Sequence, residues 1–126
     1  MKRKIFSYFE IAAATAVSKS DRRAFVLGAI GIRRDGAMVK ALNSPTEAPN
    51  RQVHAEKRLC SKLDHGAEVY VCRIRLDTLN FGMARPCDAC MKALIHRNVK
   101  KIYYTITPNE FGIIDLENLS ERELIV

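Results

Sequence analysis

Residues 86–116 read PCDACMKALIHRNVKKIYYTITPNEFGIIDL, and the order of elements in this run sets the fold. Pro86 suits the first turn of a helix, where its missing N–H would have no partner anyway. Cys87–Asn98 then continues helically through Met91, Leu94 and Ile95. Lys101–Thr107 reads as a strand, Thr107-Pro108-Asn109-Glu110 as a turn, and Phe111–Leu116 as a second apolar strand. The turn is too short for a helical crossover, so these last two strands are expected to be antiparallel.

Working toward the N-terminus, Glu68–Leu76 alternates as a strand with Val69, Val71 and Ile74 inward, followed by a loop over Asp77–Arg85 that contains Gly82. Val53–Leu63 places Val53, Ala55, Leu59, Cys60 and Leu63 at or near helical spacing. Asp64-His65-Gly66 ends that helix, with Gly66 suited to the left-handed position after it. Residues 44–52 form a loop broken by two prolines. Ala24–Ile32 and Ala37–Asn43 are expected to pair as a hairpin across Arg33-Arg34-Asp35-Gly36, because Asp-Gly between apolar runs favours a tight turn. Residues 3–18 form an amphipathic first helix with Ile5, Phe9, Ala12, Ala13, Ala16 and Val17 on one face. Ser120-Glu121-Arg122-Glu123 has the form of a capping box, which predicts a short helix or turn over 120–126. The expectation is an α/β fold in which a mixed central sheet of about five strands carries helices on both faces.

The chain has 126 residues, 48% hydrophobic and 7% aromatic, with no Trp, no repeat and no dividing linker, so one domain over 1–126 is expected. No apolar run approaches the roughly 20 residues of a membrane helix, and the start MKRKIFSYFE lacks the apolar core of a signal peptide, so the expected location is the cytoplasm. The formal charge is +7 and uneven: residues 1–109 carry 20 basic and 9 acidic side chains, residues 110–126 one and five. A basic body raises the expectation of an anionic partner. Of the four cysteines, Cys60 and Cys72 sit in apolar patterns and read as buried thiols, whereas Cys87 and Cys90 are closely spaced, as metal or redox pairs are.

The chemical signal is the combination of His54-Ala55-Glu56, opening one predicted helix, with Pro86-Cys87-Asp88-Ala89-Cys90, opening another. A catalytic zinc keeps three protein ligands and one open position, and His54, Cys87 and Cys90 supply three. Cys87 and Cys90 are three apart on one helix face, and the positive helix end favours their thiolates. Two thiolates neutralise the charge of Zn2+ and leave its water less acidic, so an adjacent base is needed. Glu56, in the same first turn as His54, is placed to take that proton without ligating the metal. The blander readings are a dipole-stabilised carboxylate for Glu56 and a redox pair for the cysteines. The redox reading leaves His54-Ala55-Glu56 without a purpose.

On these residues the chain resembles the zinc-dependent cytidine/deoxycytidylate deaminase superfamily, whose H-x-E…P-C-x-x-C pattern matches His54-Ala55-Glu56 and Pro86-Cys87-Asp88-Ala89-Cys90. The element order extends the resemblance over residues 3–116. It implies a three-layer α/β fold, zinc bound by His54, Cys87 and Cys90, and proton transfer by Glu56. Asn43, at the end of the second predicted strand, matches the place where many members hold an Asn against the sugar or base. Backbone N–H groups at Ala55 and the Cys87 turn are candidates to stabilise the ring carbonyl or developing charge. Phe25 and Phe81 are candidates for the ring pocket, with core packing the blander fate, and His65 and His96 read as structural or surface residues.

The family's substrates range from free bases to polynucleotides. The basic body favours a phosphorylated one, with Arg22, Arg23, Arg51 and Arg85 as candidate phosphate contacts. Arg85 stands out because it abuts Pro86 at the site rim. His as first ligand resembles the deoxycytidylate and tRNA adenosine deaminases, whereas the short turn before the last strand resembles the free cytidine deaminases. The resulting reading is a hydrolase that converts a cytosine nucleoside or nucleotide to the uracil form and releases ammonia. The alternatives are a nucleic-acid base deaminase and a catalytically silent, zinc-stabilised nucleic-acid-binding module. The resemblance also implies a homo-oligomer, dimer or tetramer, and no membrane partner.

Overall fold

The computed structural model describes residues 2–16, 25–42, 59–60 and 62–125. Its elements are α1 (Lys2–Ala16), β1 (Phe25–Ile32), β2 (Met38–Leu42), β3 (Glu68–Arg75), β4 (Phe81–Gly82), α2 (Asp88–His96), β5 (Lys101–Thr107), β6 (Glu110–Asp115) and β7 (Ser120–Ile125). The five strands expected from sequence are present and two more join them, giving a sheet of order β2-β1-β3-β5-β6-β7 with β4 paired to β3.

β3 and β5 pair in parallel, and the other pairings are antiparallel. β2 also runs in the direction of β3, since β1 lies antiparallel to both. β2, β3 and β5 therefore end at one edge of the sheet, and the segments that carry the two halves of the motif follow β2 and β3 from that edge.

Strand alternation sorts the core into two layers. Ile5, Phe9, Ala12 and Ala13 of α1 cover Val26, Ile30, Tyr70, Cys72, Ile74 and Phe111. On the other face, Leu59, Leu63 and Leu94 cover Ala29, Val69, Val71, Ile102 and Ile114. A side chain at Gly31 would collide with Leu63, so this glycine lets the chain over Leu59–Leu63 lie close on β1.

The structure corrects the sequence reading at three places. Residues 120–125 are not a helix but strand β7, antiparallel to β6. A capping box nucleates only one turn at an entropic cost, whereas β6 offers a ready hydrogen-bonding edge and Leu124 a place against the core under α1. The connection favours the hairpin too: Asp115 accepts the backbone N–H of Glu117 (3.0 Å) and Asn118 (3.1 Å), and Leu119 takes a left-handed φ of 52°. Second, the loop after β3 contains β4. Third, Pro86 precedes the helix instead of entering its first turn, because Cys87 has the extended geometry of an N-cap (φ −69°, ψ 168°).

Other expectations hold locally. Gly36 and Gly66 have φ of 91° and 83°, as the turn and the helix end require. α2 ends in a left-handed Asn98, with Val99 N–H bonded to Leu94 O and Asn98 N–H to Ile95 O. This is the two-bond C-terminal motif closed by packing between buried Leu94 and Val99. Cys72 is buried as expected, Cys60 partly so, and no disulfide joins the four cysteines. Among the described residues, no helix is long and apolar enough to cross a membrane.

Candidate active site

Cys87 caps α2 and Cys90 lies three positions on, in the first turn, where the cap and third positions of a helix are neighbours. Cys87 O accepts the Met91 N–H at 2.8 Å, which fixes that turn. Cys90 is buried, 1% exposed, while Cys87 is exposed. One thiol thus lies inside the protein and the other at its surface, both at the first turn of α2. Soft sulfur donors at this spacing fit zinc. His54, Ala55, Glu56 and Asn43 lie outside the described residues, as do Arg22, Arg23 and Arg51.

The turn that delivers the cysteines is held by Thr105, the buried polar side chain at the point where the β3/β5 ladder stops. Its hydroxyl donates to Gly82 O (2.7 Å) and accepts the Arg73 N–H (3.2 Å). Ala84 N–H donates to Thr105 O at 2.8 Å. The parallel strands part at this level, and the chain crosses to Pro86 through the gap. A cleft beyond the carboxyl ends of parallel strands is the usual place for a ligand in α/β sheets.

The chain after the His54 segment is anchored from three sides. Arg97, at the end of α2, donates through Nε to Cys60 O (2.6 Å) and through Nη2 to Leu63 O (3.0 Å). Asp64 accepts the Arg34 N–H at 3.1 Å, and Lys62 Nζ donates to Lys40 O at 2.7 Å. Arg97 therefore links the segments carrying the two halves of the motif. Its sequence signal, a basic residue past a helix end, does not single it out from the other twenty Lys and Arg side chains.

Arg85, which the sequence reading puts at the site rim, has its guanidinium already engaged. Nε donates to Glu121 Oε2 (2.9 Å) and Nη2 to Glu121 Oε1 (3.1 Å), a two-point pair across to β7. The Tyr104 hydroxyl also donates to Glu121 Oε2. Hydrogen bonding to Arg85, and then to Tyr104, holds the Glu121 carboxyl below its ordinary value, and Glu121 raises that of Arg85 in turn. The Tyr104 ring reaches β7 by lying over Gly112, where any Cβ would fall inside the ring. Glu121 was legible in the sequence only as part of a capping box.

Phe81 packs under α1 with Phe6 and Phe9, on the opposite face of the sheet from α2, and is core. His65 and His96 are both exposed.

The sequence matches the family described as the cytidine and deoxycytidylate deaminase zinc-binding region over residues 3–106. The chain belongs to this family. No curated protein sequence matches it significantly. Among solved structures it is similar to a cytidine deaminase from Burkholderia pseudomallei at 16% identity and TM-score 0.59, covering 99% of this chain and 92% of that one. It is also similar to cytidine deaminases from Mycobacterium leprae (18%, 0.52, covering 77% and 84%) and Mycobacterium tuberculosis (19%, 0.52, 82% and 83%). At these identities the likeness is one of fold: a deaminase α/β architecture with antiparallel last strands.

Proposed function

We propose that this family member is a zinc-dependent hydrolytic deaminase that converts a cytosine nucleoside or nucleotide to its uracil form and releases ammonia. The observation that carries the reading is the placement of Cys87 and Cys90 on the first turn of α2, at the edge where β2, β3 and β5 all end. In this reading His54, Cys87 and Cys90 hold the zinc. The chemistry the ion supplies when bound is a water made acidic enough to attack the amine-bearing ring carbon. Glu56 would move the two protons that the attacking water gives up, one to the ring nitrogen and one to the leaving amine, which departs as ammonia. The N–H groups at Ala55 and the Cys87 turn stabilise charge on the ring carbonyl. Asn43 binds the sugar or base, and the assembly is a cytoplasmic homo-oligomer, a dimer or tetramer.

The Arg85–Glu121 pair favours the nucleoside within that class. A substrate phosphate seeking Arg85 must displace a carboxylate already bonded at two points. The described aromatic cluster under α1 lies on the face away from the cysteines, which favours a small substrate over a polynucleotide stacked along the site.

The test is ammonia release by zinc-loaded protein on cytidine, deoxycytidine, their monophosphates, free bases and oligonucleotides, with Glu56→Ala as the inactive control. Turnover of cytidine above its monophosphate is expected, and Glu121→Gln should shift the ratio toward the monophosphate. Zinc-bound protein inactive on every substrate would overturn the deaminase reading. Zinc content should fall in Cys87→Ala and Cys90→Ala, and a redox-active pair without zinc would overturn the ligand assignment.

A further inference from the structure

A cavity of about 300 Å3 lies under the N-terminal end of α1, on the face of the sheet away from Cys90. Two rungs of the sheet form its floor. One runs from Tyr70 through Tyr103 and Ile113 to Arg122, each the register partner of the next, and the other joins Ile32, Glu68 and Lys101. Lys4 and Tyr8 of α1 line the wall. The three tyrosines form a ladder, with Tyr8 and Tyr70 ring centres 4.7 Å apart and Tyr70 and Tyr103 stacked at 4.4 Å and 5°.

The charges are arranged as well as the rings. Lys4, Lys101 and Arg122 border the cavity and have no ion-pair partner among the described residues. Asp115, beside Lys101 in the register, is turned into its own hairpin and bonded to Asn118 Nδ2 at 2.9 Å. Glu68 is the anion of the lining, and its charge opposes ionisation of the Tyr103 and Tyr70 hydroxyls. Burial is the main reason the Tyr103 hydroxyl is pushed up to about 12 and Tyr70 higher still, so both remain neutral donors at physiological pH. A carboxylate has about four acceptor positions, so Glu68 keeps capacity for further donors.

We propose that this cavity is a second ligand site, separate from the deaminase centre, that takes a nucleoside polyphosphate. The phosphates lie among Lys4, Lys101 and Arg122, and the base lies against the tyrosine ladder with its N–H donors on Glu68. A bare polyanion uses only the cations and is opposed by Glu68, whereas an uncharged aromatic uses only the rings. A ligand carrying both a planar donor-bearing ring and phosphates satisfies the whole lining.

The test is calorimetric titration of the full chain with GDP, guanosine and inorganic pyrophosphate at physiological salt. GDP is expected to bind at least about tenfold more tightly than either fragment. The double variant Lys101→Gln/Arg122→Gln should weaken GDP by about tenfold or more while leaving ammonia release unchanged, because neither residue belongs to the deaminase site. Tyrosine emission provides a second readout, since the chain has no Trp and three of its four tyrosines line the cavity. Pyrophosphate binding as tightly as GDP, no GDP binding up to about 1 mM, or GDP binding insensitive to the double variant would each overturn the proposal. So would absence of GDP binding together with a change of oligomeric state in the double variant, which would assign the face to a second copy of the chain.

Discussion

Gly112 and Tyr104 show how one missing side chain decides a neighbourhood. Tyr104 crosses β6 to meet Glu121 only because Gly112 leaves room for its ring. Gly112→Ala is expected to cost about 1–3 kcal/mol in chemical denaturation, the usual range for overpacking. Adding Tyr104→Ala should make the combined loss less than additive, because the clash disappears with the ring. Cys72 differs from the motif cysteines in the same physical terms. Burial pushes its thiol up to about 12. Native protein at neutral pH is therefore expected to leave Cys72 unalkylated by iodoacetamide, with labelling read by peptide mass. The folded value lies above the unfolded one of about 9, so ionisation favours the unfolded chain in base. Its contribution to stability is expected to fall as pH rises above about 9.

At the scale of elements, α2 and β7 do more than complete layers. α2 presents Cys87 and Cys90 at its start and Arg97 at its end, where the guanidinium grips the chain at Cys60 and Leu63. Arg97→Ala should cost about 1.5–3 kcal/mol, the range for hydrogen bonds to a charged donor. Arg97→Lys should recover less than half, since an ammonium lacks the two-point fork; thermal melts and zinc content of the purified variants check both. β7 is tied to the turn before the cysteines through Glu121 and Arg85. The Glu121 carboxyl is held below its ordinary value in the fold, so its contribution is present above the unfolded value and is lost as pH falls through the folded one. Amide exchange in β7 should therefore quicken below about pH 4 before that in β3 and β5, and Glu121→Gln should abolish the difference.

For the whole molecule, topology sets where the segments that carry the two halves of the motif begin. Residues 54–56 and 86–90 are some thirty positions apart, and the common direction of β2, β3 and β5 starts both following segments from one edge of the sheet. If zinc joins them, its removal should loosen the domain as a whole. A ligand held at about a thousand times its dissociation constant stabilises by about 4 kcal/mol, which in a domain of this size shifts melting by on the order of 10 °C or more. Chelated protein is expected to melt lower by that order and to recover with added zinc, as measured by scanning calorimetry.

The sequence by itself determined the elements with strong local causes. The Asp35-Gly36 hairpin, the 3.6-residue stripe of α1, the apolar runs of β3, β5 and β6, and the short Pro108-Asn109 turn follow from backbone preference and the period of side-chain burial. Cys87 and Cys90 were legible for a similar reason, since their spacing within one helical turn is a local property. Tertiary structure alone decided the fate of residues 120–125, because a strand takes its hydrogen bonds from a distant partner and overrides a weak local helix signal. It alone decided that Arg85 is held by Glu121, that Arg97 clamps the neighbouring chain, and that the tyrosines and cations under α1 share one cavity. These depend on which strands are neighbours and in what register, and contacts between residues remote in the chain have no fixed spacing that a sequence can display.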